Sequence, residues 1–251
     1  VIQPAPLYDT VNDIATQILA NEKIMYNLTD LRTQDNYTFE HSVNVCVLSL
    51  MTGKSLGYTR DQLLALGVGA ILHDLGKVKI PFEILNKPDR LSEEEFSLVM
   101  EHTRHGHNMI KALEYLGEVP ATIAYQHHEN YDGSGYPNGI SGHQFNEFAQ
   151  IAALADRFDA LTANRPYRQA FPPYEAYEMC AGAGNYLFKD MFITAFLYNI
   201  AAYPTGTLVE LNNRMIGEVT ETKKGYSLFP KVRILLNEDW TPVPRQFEGP
   251  L

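Results

Sequence analysis

Up to about residue 203, apolar side chains recur every three or four positions, the spacing that lines one face of an α-helix. Residues 9–34 carry Ile14, Ile18, Met25, Leu28 and Leu31 in this rhythm and predict a first, long helix. Residues 38–56 predict a second, with His41, Val45, Leu48 and Thr52 on one face. Thr59 with Gln62 forms a capping box, and Tyr58 with Leu63 the hydrophobic staple, for a third helix that reaches His73-Asp74 near its C-terminal end. Ser92 with Glu95, stapled by Leu91 and Phe96, opens a helix that carries His102. Pro120 suits the first turn of a helix ending at His127-His128.

The rhythm then breaks. Residues 129–142 are rich in glycine and proline and predict an irregular loop. A further helix over roughly 147–163 carries Asp156 and ends before Pro166, which disfavours helix at Arg165. Past Pro204 the pattern changes to alternation and β-branching in Thr207–Leu211, Met215–Thr220 and Lys231–Leu236, separated by Asn-Asn and Lys-Lys-Gly turns. The expected fold is all-α, a helical bundle with a small C-terminal antiparallel β appendage and a loose Pro-rich tail over 237–251. No internal repeat is visible.

A length of 251 residues fits one large domain with small appendages. The net charge of −10, with no dense Lys/Arg cluster, argues against polymeric nucleic acid as a partner. An acidic protein that takes an anionic ligand needs a local positive focus, and divalent cations would supply one. Cys46 and Cys180 are far apart and form neither a disulfide framework nor a CxxC pair, which suits a reducing, cytoplasmic setting. No apolar run reaches the ~18 residues of a membrane span, and no signal peptide is present. The chain starts at Val1 and not Met, so an upstream regulatory region or membrane anchor is compatible with it.

The candidate chemistry lies in the histidines. His73-Asp74 and His127-His128 are adjacent pairs near helix ends, and His41, His102 and Asp156 come from three other helices. Neighbours on a helix point about 100° apart, so an adjacent pair can still serve one ion. Mixed imidazole and carboxylate donors suit iron, manganese or zinc better than calcium or magnesium, and a set without cysteine argues against a structural zinc. A lone buried histidine is more often a hydrogen-bonded core residue than a ligand, so spacing alone leaves both readings open. His105, His107 and His143 fall outside the pattern and are expected at the surface. Gly106, one turn after His102, suits a close approach of another backbone. Asp159, three residues after Asp156, could orient a ligand or cap nearby backbone; the residues do not separate these.

Several motifs together carry a resemblance. His73-Asp74-Leu75-Gly76-Lys77 with Pro81, His102 with Gly106, His127-His128-Glu129, Asp132-Gly133, Gly135-Tyr136-Pro137, Asp156–Thr162 and Arg165-Pro166-Tyr167-Arg168 resemble the HD-GYP family over about residues 35–203. The resemblance implies an HD-type helical fold and hydrolysis of cyclic di-GMP to a linear dinucleotide or GMP. It implies His41, His73, Asp74, His102, His127, His128 and Asp156 as metal ligands, with Asp74 as the bridge. Lys77 would stabilise charge on a phosphate oxygen. Tyr136 would shape the substrate mouth, and Arg165 and Arg168 would contact phosphate or guanine. The expected cofactors are two divalent ions, iron first and manganese next. Some family members hold a third ion with a glutamate four residues before the first ligand histidine; here that position is Tyr37, a poor ligand at neutral pH, which favours two.

The domain reading that follows is 1–34 as the end of an upstream regulatory region, 35–203 as the catalytic domain and 204–251 as the appendage. A homodimer, and a protein partner at the Gly135-Tyr136-Pro137 loop, are the expected assemblies. Two rivals stay on the table: another HD-type nucleotide phosphohydrolase, and a non-catalytic module that senses a cyclic dinucleotide or binds a partner.

Overall fold

The computed structural model describes residues 4–21, 23, 25, 26, 37–164, 169–243 and 248–250, with residues 4, 37, 38, 248 and 250 described by backbone alone. Helices α1 (Pro4–Ala20), α2 (Tyr37–Ser55), α3 (Arg60–Leu72), α7 (Glu118–Gln126) and α8 (Glu147–Thr162) pack around one core. Val45, Leu48, Leu66, Ile123, Ile151 and Phe158 at its centre are at most 1% exposed. Losing one such large side chain typically costs about 3–5 kcal/mol for Phe→Ala, a large part of a domain's stability. Helices α9 (Pro173–Ala181) and α10 (Asp190–Leu197) close one side, with Phe196 in edge contact with Phe158 at 5.4 Å.

The predicted capping boxes are present. Thr59 Oγ1 accepts from Gln62 N at 3.3 Å and opens α3, and Ser92 Oγ accepts from Glu95 N at 3.2 Å and opens α5 (Glu93–Met100). Three expectations are corrected. The first helix does not run from 9 to 34: it spans Pro4–Ala20, and its last carbonyls are capped by Lys54 Nζ, 2.7 Å from Ile18 O and 3.1 Å from Asn21 O. Helix is excluded at Tyr26, whose extended backbone pairs with Asn199 O and Ala201 N; Leu28 and Leu31 lie outside the described residues. Second, the helix opened by Ser92 stops at Met100, and α6 (His102–Lys111) starts after a tight turn at Glu101, whose N–H reaches back to Leu98 O at 3.2 Å. Between α3 and α5 the chain makes a 3₁₀ turn at Leu75–Lys79 and the one-turn helix α4 (Phe82–Leu85).

The appendage is a four-stranded antiparallel sheet, β1 (Leu208–Glu210), β2 (Ile216–Glu221), β3 (Lys231–Leu236) and β4 (Glu248–Pro250), in sequence order. The third correction is β4, expected as loose tail: Pro250, Gly249 and Glu248 pair with Lys231, Val232 and Arg233. An open edge on β3 offered backbone partners that side-chain periodicity does not report. Val219, Val232 and Ile234 form the sheet's own small core. It joins the helical part through Ser227 Oγ, 3.5 Å from Leu197 O, and Lys224 Nζ, 5.3 Å from the Tyr198 ring centre. No helix among the described residues is long and apolar enough to cross a membrane.

Candidate metal centre

Helix ends build the site. The last carbonyls of a helix have no intrahelical partner. At three ends a histidine takes one of them: His73 Nδ1 lies 2.7 Å from Ala70 O, His102 Nδ1 2.6 Å from Val99 O and His127 Nδ1 3.0 Å from Ala124 O. A carbonyl only accepts, so each Nδ1 carries a proton and each Nε2 is the atom turned inward. His41, on α2, is held differently. Its Nδ1 donates to Asp159 Oδ2 at 2.8 Å, and Asp159 Oδ1 accepts from Asn44 Nδ2 at 3.0 Å. The question the residues left open about Asp159 is thereby answered: it orients a histidine.

The four Nε2 atoms converge on Asp74. Its Oδ1 faces His102 Nε2 at 3.5 Å and His127 Nε2 at 3.7 Å. Its Oδ2 faces His73 Nε2 at 3.3 Å and His41 Nε2 at 4.0 Å. Asp156 Oδ1, on α8, joins the second group, 3.2 Å from His41 Nε2 and 4.0 Å from His73 Nε2. His128 joins the first, and its ring stacks on Tyr136 at 4.7 Å and 25°. One carboxylate thus stands between two donor groups, His102-His127-His128 and His41-His73-Asp156.

Two of these donor atoms are unsatisfied as they stand. His102 Nε2 and His127 Nε2 are 3.2 Å apart, two like ring nitrogens facing each other. His73 Nε2 and Asp74 Oδ1 are buried and have no hydrogen-bond partner among the described residues. Such orphans cost roughly 1–3 kcal/mol each unless a proton or cation lies between them. Ligands of one ion bound at about 2.0–2.2 Å lie on the order of 3 Å apart, the spacing seen here. The donor set fits divalent metal.

Electrostatics divide the two donor groups: burial opposes a charged His73, but Asp74 and then Asp156 outweigh it and raise it above the usual imidazole range. Burial, and then His127, pull His102 down to about 4, and burial holds His128 well below the usual imidazole range. Both are neutral ligands at neutral pH. Burial works against a charged His41, but Asp156 and Asp159 together outweigh it and push it up to about 9. Burial likewise opposes a charged Asp74, yet His73, Lys77 and His127 hold its carboxyl well below the usual carboxylate range. Lys77, from the 3₁₀ turn, places Nζ 2.5 Å from Asp74 Oδ2. That turn fits because Gly76 lies against α6 at Gly106: a Cβ on Gly76 would strike the His102 carbonyl, and one on Gly106 would come within 3.3 Å of Gly76 N.

A cleft of about 1140 Å³ opens over these donors, and Lys77, Lys87, Phe96, Tyr136 and Arg157 are among its walls. An HD domain family model matches residues 16–188. A cyclic di-GMP phosphodiesterase of Pseudomonas aeruginosa, PA4108, is 32% identical over 246 residues, 98% of this chain and 59% of that protein. The chain belongs to the HD-GYP family of HD domains. It spans about three fifths of the length of that relative, 59%. A 3'3'-cGAMP-specific phosphodiesterase 1 of Vibrio cholerae is 36% identical over 152 residues, 61% of this chain and 35% of that protein. Among solved structures, the HDG"Y"P protein Bd1817 of Bdellovibrio bacteriovorus shares the fold, with a TM-score of 0.63 at 21% identity over 76% of this chain and 61% of that one.

The HD-GYP signature loop is organised by a residue that spacing did not single out. Glu129 is 1% exposed, and its carboxylate accepts from Asn138 N at 2.8 Å and Ile140 N at 3.2 Å. Tyr136 N donates to His128 O at 3.1 Å, so the loop is tied to the histidine pair at both ends. Its place in the His127-His128-Glu129 motif, beside a glycine-rich loop, was the signal for this. His107 departs from the surface expectation: it is half-buried, with Nδ1 3.1 Å from Ala121 O. His105 is also half-buried, and His143 is exposed as expected. Arg165, Arg168 and the side chain of Tyr37 lie outside the described residues.

Proposed function

We propose that this chain is a metal-dependent phosphodiesterase that hydrolyses cyclic di-GMP to a linear dinucleotide, or to GMP after a second cut. The observation that carries this reading is the convergence of imidazole Nε2 atoms on the two oxygens of Asp74. His41, His73 and Asp156 would hold one ion, His102, His127 and His128 the other, with Asp74 bridging. Iron is the preferred metal and manganese the next. Two divalent ions there would neutralise phosphate charge and acidify water, the chemistry phosphodiester hydrolysis needs.

The chain's own residues supply the rest. Asp159 and the helix-end carbonyls keep four imidazoles in one tautomer and orientation, so the donors need no rearrangement. Lys77, its side chain 40% exposed, turns its ammonium from Asp74 toward a phosphate oxygen as charge develops. Arg165 and Arg168 contact phosphate or guanine, and Tyr136 shapes the mouth. Residues 35–203 form the catalytic domain and 204–251 its appendage. Residues 1–34 are the end of an upstream regulatory region, and Val11, Ala15 and Ile18 of its helix α1 are part of the main core. The protein works in the reducing cytoplasm, where Cys46 and Cys180 stay buried thiols.

The test is turnover of cyclic di-GMP with added Mn²⁺ or Fe²⁺ under reducing conditions, with metal counted per chain after anaerobic loading. Two ions per chain and linear product are expected. Tight binding of the dinucleotide without turnover would make the chain a sensor and end the reading. The likeness to the 3'3'-cGAMP-specific relative favours a parallel assay with that cyclic dinucleotide as the second reading.

A further inference from the structure

The cleft joins two unlike surfaces. Its floor is the charged and imidazole donor set, and part of its rim is aromatic and apolar. Phe96 lies on α5, a helix that buries none of its residues, and the residue is 47% exposed. It sits edge-on to Tyr136, 6.0 Å between centres at 79°, and Tyr136 stacks on His128. The two rings form a right-angled corner one ring contact from a donor of the floor. Leu85, from the one-turn helix α4, extends the apolar wall.

A simple phosphate has no use for such a corner. A ligand that carries phosphate and a planar ring has use for both surfaces. We infer that Phe96, together with Tyr136, is the platform on which one nucleobase of the cyclic dinucleotide stacks, making Phe96 a specificity-determining residue. The inference rests on the proposed function for the identity of the ligand. Nucleobases stack on aromatic side chains whatever their hydrogen-bond pattern, so the corner selects for a base without choosing among bases.

The experiment measures equilibrium binding of two probes to the manganese-loaded protein: the hydrolysis-resistant bis-phosphorothioate analogue of cyclic di-GMP, and inorganic phosphate. Phe96→Ala is expected to weaken the analogue by about ten-fold, the scale of one lost stack, and to leave phosphate within about two-fold. Phe96→Tyr should restore analogue binding and Phe96→Leu should not, because the aromatic face matters and not the volume. In kinetics the loss should fall on KM, with kcat nearly unchanged. Unchanged analogue binding in Phe96→Ala, wild-type affinity in Phe96→Leu, or a parallel loss of phosphate would each overturn the platform. So would a wild-type protein that does not bind the analogue. A wild-type protein that binds it, responds to Phe96 substitution and yet turns over no cyclic di-GMP keeps the platform and removes only the hydrolytic reading.

Discussion

The floor and the rim of the cleft are built on different principles. On the floor, His73, His102 and His127 are each at most 3% exposed; His73 and His127 are hydrogen-bonded to the ends of α3 and α7, which pack into the main core, and only His102 takes its carbonyl, Val99 O, from the last turn of α5. On the rim, neither α4 nor α5 buries a residue; α5 is held by its capping box, by Lys87 Nζ at 2.7 Å from Glu95 Oε2, and by the Phe96–Tyr136 contact. A metal centre needs donors held in place before the ion arrives. A surface that admits a large substrate is better drawn from the weakly anchored end of a protein's local stabilities. Substitutions on the floor should therefore act on metal and chemistry, and substitutions on the rim on ligand affinity and local opening.

The largest expected effect is on the floor. Asp74→Ala removes the only carboxylate among the described residues that faces both donor groups, so both ions should be lost and turnover should fall by at least ~10³-fold. Metal content per chain and steady-state rate measure this together; a variant that keeps two ions and a near-native rate sinks the two-metal assignment. Lys77→Ala should separate charge stabilisation from ligation. Its side chain touches Asp74 without belonging to the imidazole set. Metal content should stay at the wild-type level while turnover falls by roughly 10²–10³-fold. Loss of metal in that variant would make Lys77 a support of the ligand shell.

Asp159 tests the layer beneath the ligands. Asp159→Ala leaves His41 Nδ1 and Asn44 Nδ2 without their shared acceptor in a buried place, and metal affinity should fall by about 10–100-fold. Asp159→Asn keeps an acceptor oxygen for His41 and should recover part of that loss. A metal titration of the three proteins decides; equal affinities would show that packing alone orients His41.

The helices and the donor residues were legible in the sequence because each leaves a local mark. Thr59–Gln62 and Ser92–Glu95 announce helix starts within four residues, and the paired histidines mark helix exits. What sequence did not disclose depends on distant partners. The first helix ends where Lys54 caps it and Tyr26 pairs with Asn199 and Ala201, contacts spanning more than thirty and more than a hundred and seventy residues. β4 exists because β3 has an open edge, not because Glu248–Pro250 alternate. Asp159 could be read either as capping backbone or as orienting a ligand, and only the crossing of α2 and α8 places it on His41. Phe96 read as a helix staple, and its contact with Tyr136 requires the loop after His128 to fold back over the cleft.

The smallest effect tests the rim itself. Ser92→Ala removes the side-chain acceptor for Glu95 N, a capping loss worth about 1 kcal/mol. Were α5 part of the cooperative core, that loss would lower the thermal midpoint by about 2–4 °C in a domain of this size. Because α5 buries no residue, the same energy should appear as easier local opening, with the global midpoint unchanged. Amide hydrogen exchange reads this directly: protection across residues 93–100 should fall by roughly five-fold, the ratio that about 1 kcal/mol sets, while amides of the buried α8 stay as in the wild type. A midpoint that drops by several degrees, with exchange accelerated equally in α5 and α8, would mean that the rim is locked to the floor and that the contrast between them is false.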